Sequence, residues 1–363
     1  MSLRSRPEIE TIAECAHGGV DETEMRSLGL SARDIVDFSV CCNPYGAPPA
    51  VGSAISLAAI GKYPDSDCCE LRLQLSKRIG VPPDLIVVGN GSMELLRNAG
   101  LAFINPGDLC MIGSPTFGEY QVTCQIMGGK ILEFPTAESE SFRVDASMMA
   151  ETVGRQRPKI VFLCNPNNPT GSYLERSEVI EIVNSSKDTL FVLDEAYAGF
   201  LENSGESTEM VGMGNVLVVR SMTKDYAMAG LRLGFAFAAK DIIAPMRKVR
   251  TPWSVNSVAQ VAGTRALESG AGHLRESLNK IALAKKELLA DLAAIGAPPI
   301  PSQANFFMVK VGDARALRGR LAAKGILVRD CTSFGLPQFI RIGVRTPEEN
   351  DRLVLAMKEV LGR

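Results

Sequence analysis

Histidine and tryptophan are scarce: His17, His273 and Trp253 are the whole supply in 363 residues. Two imidazoles leave no His-rich metal site to expect. The Cys-x-x-Cys spacing of zinc and iron–sulfur sites is missing as well. The nine cysteines, with adjacent pairs at Cys41-Cys42 and Cys68-Cys69, read as free thiols of a reducing compartment. No apolar run approaches the roughly 20 residues that span a bilayer. Met1 to Glu14 mixes Arg and Glu and has no apolar signal core. A charge excess is lacking too: 39 Lys and Arg against 41 Asp and Glu give −2. Nucleic-acid and membrane surfaces call for a basic excess. What is present is an ordinary globular balance, 46% apolar and 22% charged, over a length that suits two domains. The expectation is a soluble cytoplasmic protein with no metal, nucleic-acid or membrane partner.

Between about residues 85 and 240, short apolar runs alternate with helical stretches. Candidate strands are Leu85-Ile86-Val87-Val88, Leu109-Cys110-Met111-Ile112 and Ile160-Val161-Phe162-Leu163. Three more are Leu190-Phe191-Val192-Leu193, Val216-Leu217-Val218-Val219 and Gly234-Phe235-Ala236-Phe237. Runs without polar alternation fit strands buried on both faces of a mainly parallel sheet. In open α/β sheets the ligand lies beyond the carboxyl ends of the strands, so the turns there are candidate sites. After Trp253 the texture changes. Leu274, Leu278, Ile281, Leu288 and Leu292 keep helical spacing. Asn305 to Val309 and Phe339 to Ile342 read as strands of a smaller sheet. Thr346-Pro347-Glu348-Glu349 carries the cap, proline and glutamate of a helix start. Ala16-His17-Gly18-Gly19 and Asn43-Pro44-Tyr45-Gly46 are turn-rich and suit an arm folded over a site. The expected division is an arm with part of a small domain (1–50), a large ligand-binding domain (51–255) and a C-terminal small domain (256–363).

The richest cluster is Ser221-Met222-Thr223-Lys224 followed by Leu231-Arg232-Leu233-Gly234. A lysine at a strand end, flanked by hydroxyls and followed by an arginine, suits an aldehyde cofactor with a phosphate tail. The Lys224 amine condenses with the aldehyde, and Ser221, Thr223 and Arg232 hold the phosphate. That combination points to pyridoxal 5′-phosphate. Gly89-Asn90-Gly91-Ser92-Met93-Glu94 follows a strand and opens a helix, where backbone N–H groups bind phosphate. Gly91, Ser92 and Met93 thus join the phosphate cup.

Asn165-Pro166-Asn167-Asn168-Pro169-Thr170-Gly171 has turn chemistry, and Asn168 is placed to donate to the cofactor's phenolic oxygen. Asp194, in Leu193-Asp194-Glu195-Ala196-Tyr197, suits the pyridine nitrogen. Tyr197 shares the phenolic oxygen, while Glu195 reads as a structural ion pair. Phe117, in Ser114-Pro115-Thr116-Phe117, is a candidate to stack on the ring. Arg341 lies among apolar residues, where a charge needs a partner, and a substrate carboxylate is the natural one. Arg329 and Arg345 are weaker candidates for a second anionic group.

Taken together, Tyr63-Pro64, Gly89-Asn90-Gly91, Asn165 to Gly171, Asp194 to Tyr197, Ser221-x-Thr223-Lys224, Arg232 and Arg341 resemble the class I/II aminotransferases of fold type I. The resemblance covers nearly the whole chain. It implies an α/β protein whose large domain holds a mainly parallel seven-stranded sheet, plus a smaller α+β domain. It also implies a homodimer in which Tyr63 reaches the cofactor phosphate of the other subunit. Within the family the chain is similar to two branches, histidinol-phosphate aminotransferases and the threonine-phosphate decarboxylases of cobalamin biosynthesis. The arm motif, Asp37-Phe38-Ser39, Tyr63-Pro64-Asp65 and Pro252-Trp253-Ser254-Val255-Asn256 favour the decarboxylases. Val20 and Cys41-Cys42 depart from their pattern. The expected reaction is decarboxylation of L-threonine O-3-phosphate to (R)-1-amino-2-propanol O-2-phosphate and CO2. The alternative is transamination of the histidinol-phosphate type. Under either, His17, Gly18, Asn43, Asn168, Arg329 and Arg341 fix the substrate, and Lys224, Asp194 and Tyr197 carry the chemistry.

Overall fold

A computed structural model describes residues 3–362 apart from 11, 14, 16, 57 and 202–206. Ala16 of the arm motif and the Met1 and Glu14 ends of the N-terminal segment lie outside the described residues.

The apolar runs form one seven-stranded sheet. Across it the strands run Ile86–Asn90, Leu233–Ala238, Val216–Ser221, Leu190–Asp194, Ile160–Cys164, Leu109–Ser114 and Lys130–Pro135. Leu233–Ala238 is antiparallel to both its neighbours, and the remaining pairs are parallel. Burial on both faces explains why the runs do not alternate with polar residues. Phe191 and Leu193 enter one apolar core, while Leu190 and Val192 enter the core on the opposite face. Lys130–Pro135 is the strand that the sequence pattern did not reveal. Lys130 and Glu133 interrupt its apolar residues, and a terminal proline is tolerated because this is a sheet edge.

Parallel strands bring their carboxyl ends to one side. Cys164 stands in register with Asp194, and Asp194 with Val219, two residues before Ser221. The turns after these strands therefore converge.

A second, smaller sheet is antiparallel, in the order Arg329–Asp330, Phe339–Gly343, Phe306–Lys310. Val36–Asp37 pairs in parallel with Ile326–Leu327, so an N-terminal segment is built into the C-terminal part. The helix Ala271–Ala294 joins the two parts. Its Leu274 packs into a large-sheet core, while Ile281, Leu288 and Leu292 pack with the smaller sheet. Thr346 caps the last helix, Pro347–Leu361, with the reciprocal Glu349 contact that the sequence indicated. Among the described residues no helix is long and apolar enough to cross a membrane.

Candidate active site

A cavity of about 410 Å³ lies at the converged strand ends and against the smaller sheet. Lys224 lines it, just past the Val216–Ser221 strand. The Asn43 backbone N–H donates to the Lys224 carbonyl at 2.8 Å, which fixes the lysine's main chain. Its Nζ lies 5.9 Å from the Tyr197 ring centroid.

The phosphate end is built from three elements. The Ser221 and Thr223 hydroxyls are buried and 2.6 Å apart. The Gly91–Phe103 helix begins beside them, and its N-cap residue Asn90 makes no side-chain cap bond. First-turn N–H groups are thereby left for an anion. Two glycines permit this approach. A Cβ on Gly234 would sit 2.4 Å from the Ser92 nitrogen. One on Gly91, whose φ is +74°, would sit 2.8 Å from an Arg232 guanidinium nitrogen. Hydroxyls, an uncapped helix start and a guanidinium form a donor set that fits a phosphate dianion.

At the middle of the cavity Asp194 is buried. It accepts from the Tyr120 hydroxyl at 2.7 Å and from the Ala196 N–H at 3.0 Å. Burial pushes its carboxyl up to about 6, against the lowering effect of those two donors. A buried carboxylate raised in this way favours a cationic partner. Tyr120 is held from both sides, stacked on Phe162 at 5.1 Å and edge-on to Phe117 at 5.5 Å. Asn168 accepts from Arg341 through its amide oxygen, which leaves its NH2 as the donor toward the cavity it lines. Tyr197 packs edge-on against Phe306 at 4.8 Å, and burial pushes its phenol up.

The opposite wall is cationic. Arg329 and Arg341 face each other in register on adjacent antiparallel strands, so their side chains share a face. Arg341 is 6% exposed. Its guanidinium meets the Asn168 amide and, at 2.6 Å, the Ser39 carbonyl, while its Nε is buried with no partner among the described residues. Arg329 donates to the His17 carbonyl at 2.8 Å and to the Ser333 hydroxyl at 2.7 Å. Burial lowers its pKa, and the neighbouring Arg341 charge adds to that. Two like charges on one face, the Arg341 one buried, are stabilised by an anion between them. His17 and Gly18 reach the same cavity from the arm. Gly18 lies so close to Ser39 that a Cβ would be 2.7 Å from the Ser39 oxygen.

Not every expected residue arrives. Asn43 does not line the cavity; its side chain bonds the Asp225 carbonyl at 2.9 Å and the Ser277 hydroxyl at 2.8 Å. Arg345 is held by Glu349 at 2.9 Å, an ion pair one helical turn apart. Glu195 pairs with Arg220 at 2.8 Å, as its structural reading required. Tyr63 is 80% exposed and stacks on Trp253 at 4.7 Å, outside the cavity. Conversely, Tyr120 and Glu119 line the cavity without having been singled out. Tyr120 meets its partner Asp194 74 positions along the chain, and only the Ser114 to Phe117 turn leading into their helix hinted at them.

Residues 33–357 match the family described as aminotransferase class I and II, and the chain belongs to it. A histidinol-phosphate aminotransferase of Moorella thermoacetica is 34% identical over 99% of this chain and 93% of its own length. The crystal structure of the Sinorhizobium meliloti histidinol-phosphate aminotransferase, in complex with pyridoxal 5′-phosphate, has a TM-score of 0.89. It is 26% identical and covers 100% of this chain and 98% of that one. The L-threonine-O-3-phosphate decarboxylase of Porphyromonas gingivalis has a TM-score of 0.80 at 29% identity, covering 91% of this chain and 100% of that one. Pyridoxal 5′-phosphate is the cofactor, as the lysine cluster indicated.

The decarboxylase expectation is corrected. Near-full-length relatives at 34–36% identity and the structure with TM-score 0.89 are histidinol-phosphate aminotransferases. The lyase and cobalamin assignments fall with it. The physical reason lies in the segments that favoured it. Of these, Trp253 is half exposed and packs on Tyr63, outside the cavity, whereas His17, Gly18 and Ser39 line it.

Proposed function

We propose that the chain is an aminotransferase of the histidinol-phosphate type, moving an amino group between a small phosphorylated amine and a keto acid in the cytoplasm. The Arg329–Arg341 pair carries this reading. It offers anion recognition at the far end of the cavity, separate from the phosphate cup near Lys224. An aminotransferase binds two substrates in turn at one place. Here the phosphorylated donor and the carboxylated acceptor both present an anion to the same two guanidiniums.

Bound pyridoxal phosphate supplies the electron sink for the bond broken at the substrate Cα. The chain's residues do the rest. Gly91, Ser92, Met93, Ser221, Thr223 and Arg232 hold the phosphate. Asp194, oriented by Tyr120, holds the ring nitrogen's proton. Asn168 and Tyr197 donate to the phenolic oxygen, and Phe117 covers the ring. Lys224 would hold the aldehyde end and, once its amine is free again, would move the proton at the substrate Cα. His17, Gly18 and Arg329 orient the phosphorylated end. In the same reading, 51–255 binds the cofactor, and 1–50 with 256–363 carries the substrate arginines. The exposed Tyr63–Trp253 stack belongs at a homodimer interface, with Tyr63 reaching the other subunit's cofactor phosphate.

The test is a half-reaction. Holoenzyme mixed with histidinol phosphate should lose the absorbance of the lysine-bound cofactor, and 2-oxoglutarate should restore it. Absence of amino transfer from histidinol phosphate to any keto acid ends the reading.

A further inference from the structure

We propose that Cys15, His17 and Glu119 form a site for a zinc-class divalent cation that ties the N-terminal arm to the rim of the cavity. The Cys15 Sγ, a His17 ring nitrogen and a Glu119 carboxylate oxygen all lie within 4.8 Å of one another. Thiolate, imidazole and carboxylate are the donors that zinc prefers. The three arrive from two directions. Cys15 and His17 come from the arm, and Glu119 opens the Glu119–Ile126 helix of the large part.

The local packing supports convergence. A Cβ on Gly118 would lie 2.9 Å from the Cys15 sulfur, so the glycine lets the arm settle against this helix start. Glu119 is buried, and its two oxygens have separate partners. Oε2 receives Arg97 at 2.5 Å, and Oε1 meets His17 Nε2 at 3.1 Å. A cation takes the place between Oε1 and the imidazole, while Arg97 keeps the outer oxygen oriented. Donor atoms around tetrahedral zinc stand roughly 3.2–3.8 Å apart, given the usual bond lengths. A pair at the full 4.8 Å must therefore close by about 1.0–1.6 Å, while the 3.1 Å His17–Glu119 pair opens slightly. Residues 12, 13, 15 and 17 lie outside helix and strand, so the arm can adjust. All three residues line the cavity, and water from it completes the fourth position.

Coordination requires the thiolate. Binding therefore releases one proton from sulfur, and affinity rises with pH. Sequence spacing conceals the site, because Glu119 stands 102 positions after His17.

The experiment uses holoenzyme stripped of metal by chelator and titrated with Co2+. The expected result is one Co2+ per chain, a thiolate-to-cobalt charge-transfer band in the difference spectrum, and displacement by Zn2+. Proteolysis within residues 3–30 should slow when Zn2+ is present. Cys15→Ser should abolish the band and weaken Zn2+ binding at least about tenfold, and His17→Gln should weaken it comparably. A band that survives in Cys15→Ser places the metal on another cysteine and overturns the proposal. So does the lack of stoichiometric Co2+ binding. Neither readout involves the amine substrate, so this site and the transamination reading fail independently.

Discussion

The cavity has two unlike walls. Along the strand ends, Asp194, Ser221, Thr223 and Lys224 sit within a residue or a few of buried strands, and each belongs to a short contiguous motif. On the other side, His17, Glu119, Arg329 and Arg341 come from four separate segments and meet only through folding. In the proposed reading the first wall holds the cofactor, whose demands are the same whatever the substrate, and the second meets the substrate. Cofactor identity was therefore written in local strings, whereas substrate identity depends on an assembly that no string displays.

The largest effect should come from the strand-end wall. Lys224→Ala should remove the lysine-bound cofactor absorbance and lower kcat by about 10⁴-fold. A variant that keeps both would place the chemistry elsewhere. On the opposite wall, Arg341→Lys keeps the charge but loses the fork that reaches Asn168 and Ser39. It should cut kcat/KM for both substrates about 100-fold, equal to roughly 3 kcal/mol, with the cofactor spectrum intact. Arg329→Gln should sharpen the contrast further. KM for the phosphorylated amine should rise about tenfold and exceed the change for the keto acid, as steady-state kinetics would show.

Asp194 links the walls to stability. Its carboxyl is raised from 3.8 to about 6 by burial, so the unfolded chain loses its proton first as pH rises. Cofactor-free protein should therefore lose up to about 3 kcal/mol of stability from this group between roughly pH 4 and 6. Cofactor-free Asp194→Asn should be the more stable form above pH 6 in urea unfolding, yet bind pyridoxal phosphate more weakly. Equal stability of the two proteins at pH 7 would contradict the buried charge. The smallest effect belongs to Arg345→Ala. Its part-exposed pair with Glu349 should contribute no more than about 1 kcal/mol, and the activity per folded molecule should not change.

Much of the fold could be read from periodicity because both faces of the large sheet are covered. Ile160–Cys164 and Leu190–Asp194 show unbroken apolar runs for that reason. The edge strand Lys130–Pro135 could not be read, since one side needs no pairing and tolerates charge and proline. Thr346 and Glu349 were legible because a capping box is local chemistry. Arg341 and Arg345 look alike in sequence, each an arginine near apolar residues. Strand alternation aims the first at the cavity, and a helix start one turn away claims the second. Asn43 shows the same limit, because a turn residue can serve a ligand or a backbone with identical neighbours in sequence. The branch assignment failed at this point. It leaned on the arm and the Trp253 segment; His17 and Gly18 of the arm line the cavity, but the Trp253 contacts lie outside it.

The 24-residue helix Ala271–Ala294 is anchored in both cores, with Leu274 at one end and Leu292 near the other. At 1.5 Å per residue it is about 36 Å long. Its length would make it a lever arm: a tilt of about 5° at the Leu274 end would carry the far end roughly 3 Å, the length of a hydrogen bond. Such a tilt would couple adjustments at the large sheet to the smaller sheet that bears Arg329 and Arg341.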